Sequence, residues 1–286
     1  MATPNLQSLS RAVAIVTGAS SGIGFAVARR LAADGAAVVV NFHSRPAPAY
    51  ALVNEICRSG GRAIAVGADV SDEADVTRVF AETIDAFGRI DVLVANSGVQ
   101  KDSPVADMTL DDWRAVIDLD LTGQFLCCRE AIRHFRKQDA SGRPFRAAGA
   151  IVSMSSVHDV IPWAGHVNYA ASKGGASMMM RTIAQEVAGD RIRVNAVSPG
   201  AIRTPQSGGV GQRCRAPTVA SRHSLRPYRR AGRRRCHRFV AGIGCGRLRD
   251  RHDALRGWRH DALPGVSQPW LKNRIQCRAA PSANTA

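Results

Sequence analysis

No CxxC pair occurs in this 286-residue chain, and no His/Cys spacing suits a tetrahedral zinc site. Its seven cysteines, at 57, 127, 128, 214, 236, 245 and 277, are odd in number, as expected of reduced thiols in a cytoplasmic protein without a bound metal. The start, "MATPNLQSLSRAVAIVTGAS", lacks the charged-then-apolar layout of a signal peptide, and no apolar run is long enough to span a bilayer. A soluble chain with no membrane partner is the expectation. Net charge is nearly absent from the first part: residues 1–205 carry 21 Lys+Arg against 20 Asp+Glu. Glutamate is missing altogether from 206–286, where 18 Lys+Arg face 3 Asp. The net charge of +16, which would suggest nucleic acid as a partner, therefore belongs to the last segment alone.

What is present over residues 1–205 is an alternation. Short apolar runs at 12–18, 36–42, 62–69, 90–98, 149–156 and 192–200 are separated by helix-patterned stretches at 23–33, 47–59, 72–87, 111–138 and 167–188. Continuous apolar strands alternating with amphipathic helices predict an α/β fold, a doubly wound parallel sheet covered on both faces. Ligands of such sheets bind at the carboxyl ends of the strands.

Two stretches carry chemistry. The first strand runs into "TGASSGIG", with glycines at 18, 22 and 24. Glycine lets the backbone approach a pyrophosphate and lets the positive end of a helix face the anion. Taken alone, the stretch also fits a plain structural turn. The second is "SSVHDVIPWAGHVNYAASK", with Ser156 thirteen residues before Tyr169 and Lys173 four after it. Four residues is one helical turn, so Tyr169 and Lys173 share a face. An ammonium beside a phenol stabilises the phenolate, the form that a general base requires.

Together these motifs resemble the short-chain dehydrogenase/reductase family across roughly residues 10–205, and within it bacterial glucose 1-dehydrogenase-type members, with "LTGQFLCCREAI" and "HVNYAASKGG" as further matching pieces. The resemblance implies an NADP-dependent oxidoreductase in which Tyr169 is the acid/base, Lys173 supports it and holds the nicotinamide ribose, and Ser156 hydrogen-bonds the substrate oxygen. It implies a dinucleotide held by Gly18, Ser20, Ser21, Gly22, Ile23 and Gly24, by Asp69 and Val70 on the adenine side, and by Asn96, Ser97 and Gly98. Pro199, Gly200, Ile202 and Thr204 fall on its nicotinamide side. The family's relay uses an asparagine where this sequence reads "DLTG", placing Asp120 there; a carboxylate accepts but does not donate as an amide does.

Members that prefer NAD carry an acid at the end of the second strand. Here Phe42 stands in that place, followed by His43, Ser44 and Arg45, a set that suits the 2′-phosphate of NADP and leaves NAD possible. His158, Trp163 and His166 fall in the stretch bordering the substrate pocket, where their donors would suit a sugar or polyol; packing of a loop explains them equally. Met178 to Met180 read as core or subunit contact. The resemblance also implies a small-molecule alcohol or carbonyl substrate and a homodimer or homotetramer.

The family's lid, last helix and final strand are not legible after Pro205. Arginine occurs 17 times between 206 and 286, in runs such as "YRRAGRRRCHRF", without helical or alternating period. "RHDALRGWRHDALPG" (251–265) explains the anomaly. Moved one nucleotide downstream, suitable codons for the stretch from Asp253 spell "TLYVDGGMTLYPG", and "SLRPYRRAG" permits "PYGRIGEP". The segment from about Gln206 is thus expected to be the out-of-frame product of a GC-rich gene, an unstructured tail following an incomplete dehydrogenase domain at 1–205. A basic nucleic-acid-binding arm and a non-enzymatic NADP-binding remnant are the rival readings.

Overall fold

A computed structural model describes residues 9–139 and 144–202. Six parallel strands, β1 (Val13–Val16), β2 (Ala37–Phe42), β3 (Arg62–Gly67), β4 (Val92–Ala95), β5 (Gly149–Met154) and β6 (Ile192–Val197), form one sheet in the order β3-β2-β1-β4-β5-β6. Ile15 pairs with Val39 on one side and with Leu93 on the other, so the strand order reverses between β1 and β4. Crossover chains leave in opposite directions there and open a crevice at the strand ends, where a ligand fits.

The helices are α1 (Gly22–Ala33), α2 (Pro46–Arg58), α3 (Glu73–Phe87), α4 (Leu110–Ile117), α5 (Gly123–Lys137) and α6 (Val167–Glu186). Side chains of alternating strand residues separate two cores. Ile15, Val39, Leu93 and Ile151 pack with Phe80 of α3, Phe135 of α5 and Met180 of α6. Val16, Val38 and Val40 pack on the other face with Ala28 of α1 and Leu52 of α2. All residues of β1 and β2 are buried, which is why both strands read as apolar runs, interrupted only by Asn41 in β2. On β5, Ala150 and Val152 are only half-buried, and Arg193 and Asn195 of the outermost β6 are exposed.

The stretch 111–138, expected as one long helix, is two helices joined by a π-helical turn at Asp118–Thr122. The wider turn brings Asp120 into the interior, where it is fully buried. Gly123 follows it because a Cβ there would lie 3.0 Å from the Val70 carbonyl oxygen. Thr204 and the expected tail at 206–286 lie outside the described residues. Among the described residues no helix is long and apolar enough to cross a membrane.

Candidate active site

The crevice is built first from backbone. Gly18 and Gly22 have φ of 60° and 58°, the left-handed region that favours glycine. Between them the chain turns sharply from β1 into α1, whose first turn carries no acidic side chain. A Cβ on Gly24 would fall 2.5 Å from Asn96 Nδ2 and 2.7 Å from the Gly18 oxygen, so α1 can sit this close to the turn only without one. Ser20 is buried, and Ser21 and Ile23 are half-buried at the helix entrance.

Two residues that sequence reasoning passed over hold this entrance together. Thr17 Oγ1 accepts the Asn96 and Ser97 N–H groups at 2.9 and 3.0 Å, while Asn96 Nδ2 donates to the Thr17 oxygen at 2.9 Å. Asn41, buried in β2, accepts the Gly18 N–H at 3.2 Å and donates to the Ala68 oxygen at 3.2 Å. The ends of β1, β2, β3 and β4 are thereby joined into one cradle. Asn41 did leave a trace, a polar residue inside "VVVNF".

Phe42 at the end of β2 is buried, its ring 3.1 Å from where a Cβ on Gly67 would lie. His43, Ser44 and Arg45 beyond it are exposed. Arg45 Nη2 donates to Ser21 Oγ at 2.7 Å, and His43 Nε2 lies 3.8 Å from Asp69 Oδ2. Asp69 Oδ1 accepts the Ser71 N–H and hydroxyl at 2.9 and 2.7 Å, which shapes the exit of β3 before Val70.

On the other side of the switch point, Lys173 and Tyr169 share a face of α6, with Lys173 Nζ 5.3 Å from the centre of the tyrosine ring. Lys173 is buried and donates to the Met154 carbonyl at 3.2 Å, and Ser155 Oγ donates to the Lys173 oxygen at 3.5 Å. The end of β5 is therefore drawn onto α6 two residues before Ser156. Ser156 Oγ accepts the His158 N–H at 3.2 Å and caps a short 3₁₀ turn. Among the described residues the Tyr169 hydroxyl makes no hydrogen bond, and Ser156 and Tyr169 are not joined by one.

Asp120 joins this group from the π-helical turn. Its Oδ2 lies 3.0 Å from Lys173 Nζ, an ion pair, and accepts no further hydrogen bond. Oδ1 accepts the Val99 N–H at 2.7 Å. A Cβ on Gly98 would come within 2.8 Å of the carboxylate. Burial pushes the Asp120 carboxyl above its ordinary range, against the pull of Lys173 and the Val99 N–H.

The loop between Ser156 and Tyr169 holds an aromatic stack. Trp163 lies between His158, at 4.5 Å between ring centres, and His166, at 3.6 Å. His158 Nδ1 donates to the Ile161 carbonyl at 2.9 Å, and His166 Nδ1 lies 2.6 Å from Asp102 Oδ1. Both histidines thus have packing partners in the loop, and His166 also lines the adjoining cavity. Beside the stack is an open cavity of about 830 Å³ lined by Pro104, Val105, Trp163, Ala164, His166 and Val167 among others. Met180 is core, and Met178 is exposed on α6.

Asp159, also unforeseen, stitches the exit of β6 to the Ser156 turn: its Oδ2 accepts the Ser155 and Ser198 hydroxyls at 3.1 and 3.0 Å. The Pro199 oxygen accepts the Val157 N–H at 3.1 Å. Among the described residues nothing lies within 4 Å of where a Cβ on Gly200 would be, and Ile202 is exposed. The cradle fits a dinucleotide: glycines that cannot carry a side chain, a helix entrance free of acid, and a guanidinium on that entrance.

Comparisons with known proteins agree with this geometry. The family model described as short chain dehydrogenase matches residues 12–214. The 3beta-hydroxysteroid dehydrogenase 1 of Eggerthella lenta is 43% identical over 191 residues, 67% of this chain and 70% of that protein. Glucose 1-dehydrogenase 2 of Bacillus subtilis is 41% identical over 197 residues, 68% and 74% of the two chains. A solved short chain dehydrogenase from Burkholderia cenocepacia, in complex with NADP, superposes with a TM-score of 0.64 at 35% identity over 69% of this chain and 77% of that one.

Proposed function

The chain belongs to the short-chain dehydrogenase family, and we propose that its site interconverts a secondary alcohol and the matching carbonyl compound with NADP. The observation that carries the reading is Lys173 Nζ set 5.3 Å from the Tyr169 ring and fixed there by the Met154 carbonyl. Tyr169, beside this buried lysine, takes the hydroxyl proton of the alcohol. Ser156, positioned by its 3₁₀ turn, holds the substrate oxygen. When bound, the nicotinamide ring supplies the hydride acceptor or donor. The Gly18–Gly24 turn holds the pyrophosphate, Asp69 and Val70 border the adenine, Asn96 to Gly98 and Pro199 to Ile202 line the nicotinamide half, and Thr204 falls outside the described residues.

NADP over NAD is supported by Phe42 in the place of an acid, by Arg45 against Ser21, and by the NADP-bound relative. A sugar or polyol is supported by the likeness to a glucose 1-dehydrogenase. The apolar walls of the cavity beside Trp163, and the engaged histidines, favour an apolar alcohol as the second reading, in keeping with the hydroxysteroid relative. Exposed Leu110, Phe125 and Met178 support a homo-oligomer.

Residues from about Gln206 onward we take as an out-of-frame product, on the strength of their composition and the collinear shifted matches. Resequencing the gene around the Pro205 codon tests this: an intact frame encoding the same basic segment would favour a genuine nucleic-acid-binding arm. The catalytic reading is tested by Tyr169→Phe. Turnover of frame-restored enzyme, assayed with glucose, polyols and hydroxysteroids, is expected to disappear while NADPH affinity stays within about threefold, because the phosphate cradle is untouched. Near-normal turnover of the variant would refute it.

A further inference from the structure

We infer that the Asp120 carboxylate sets which redox form of the nicotinamide cofactor this chain holds more tightly, favouring the oxidised, cationic form. The inference rests on the cofactor reading proposed for this chain. Asp120 is fully buried at a π-helical turn. It touches both elements that would face the nicotinamide half: Lys173, at 3.0 Å, and the Ser97–Gly98–Val99 segment, through the 2.7 Å bond from the Val99 N–H. An asparagine amide in the same place has one acceptor oxygen, so it could accept from the Val99 N–H or from Lys173 while its NH2 faced the other donor. It could not supply a negative charge. A second acceptor oxygen and a negative charge are therefore what this residue adds to the site, and the charge alone distinguishes the two redox forms.

With Asp120 ionised, the Lys173 ammonium is compensated and the pair is neutral. Without it, a buried positive charge stands alone at the nicotinamide end. The oxidised ring carries a positive charge and the reduced ring none, while the phosphates are common to both forms, so the ratio of the two affinities reports the interaction with the ring charge. Burial keeps water and salt from screening it. The nearby Asp159, bonded by Ser155 and Ser198, contributes equally in parent and variant and cancels in their comparison.

The test is a titration of the full chain with NADP⁺ and with NADPH at pH 8, for the parent, Asp120→Asn, Asp120→Ser and Asp118→Asn. Asp118 is an exposed carboxylate on the same turn and serves as the charge control. The ratio of the NADP⁺ to the NADPH dissociation constant should rise about three- to thirtyfold in both Asp120 variants, chiefly through weaker NADP⁺ binding. It should not move in Asp118→Asn. A purely structural role would weaken both forms alike and leave the ratio unchanged. A ratio within twofold of the parent in both Asp120 variants, with NADPH still bound, overturns this inference alone. Failure of the parent to bind either form overturns the cofactor reading and this inference with it.

Discussion

Arg45 Nη2 donates to Ser21 Oγ across 2.7 Å, so a guanidinium from beyond β2 lies on the residue that opens α1. Two sources of positive potential, the helix entrance and the arginine, thereby converge where no acidic side chain intervenes. A phosphate on the ribose 2′-oxygen would be received there.

Arg45→Ala should therefore weaken NADPH about tenfold to a hundredfold, the range of one or two charge-assisted bonds, and change NADH less than threefold. Parallel fluorescence titrations of the two reduced cofactors read this directly. Equal losses for both would place the arginine elsewhere in recognition.

Gly24→Ala puts a methyl 2.5 Å from Asn96 Nδ2 and 2.7 Å from the Gly18 oxygen. Backbone has to move, since Asn96 is itself held by Thr17. A loss of about 1–3 kcal/mol in stability is expected from overpacking of this kind, together with weaker cofactor binding. Urea unfolding of parent and variant measures the first part; an unchanged midpoint would mean that α1 is free to shift.

For Asp120, burial raises the folded carboxyl above its ordinary value of 3.8, so the folded state holds the proton more tightly than the unfolded chain does. Its contribution to stability is full below that value and is lost as pH rises through the raised folded one. Asp120→Asn lacks this titration. Its stability relative to the parent should rise from about pH 4 upward and level off once the folded carboxyl has ionised, as urea midpoints taken at half-unit intervals up to pH 8 would record. Parallel curves across that interval would contradict the sign.

Cys57 is exposed, whereas Cys127 and Cys128 are buried side by side on α5. Burial pushes the Cys128 thiol up to about 12 and the Cys127 thiol higher still. Iodoacetamide at pH 8 followed by peptide mapping should label Cys57 and leave the other two unmodified until denaturant is added. Labelling of Cys127 at the rate of Cys57 would show that α5 opens readily.

β1 and most of β2 were legible because burial on both faces leaves Val13–Val16 and Val38–Val40 without a polar interruption. Tyr169 and Lys173 were legible because helical spacing alone places them together. The break at Asp118–Thr122 was not, since one extra residue in a turn leaves the apolar period on either side intact. Thr17 and Asp159 escaped for a different reason. Their partners are backbone groups and hydroxyls from distant strands, and such bonds leave no periodic trace. His158 and His166 were read as donors for a substrate or as loop packing; Trp163, stacked between them, supplies a concrete form of the packing.

Asp159 binds the hydroxyls of Ser155 and Ser198, and the strand leaving β6 is pinned again where Pro199 receives the Val157 N–H. Mechanically this is a rivet: the exit of β6 at Ser198 and Pro199 is fastened to the turn that carries Ser156. Asp159→Ala would turn that fixed hinge plate into a swivel, and Ser198 and the Ser156 turn would then drift independently.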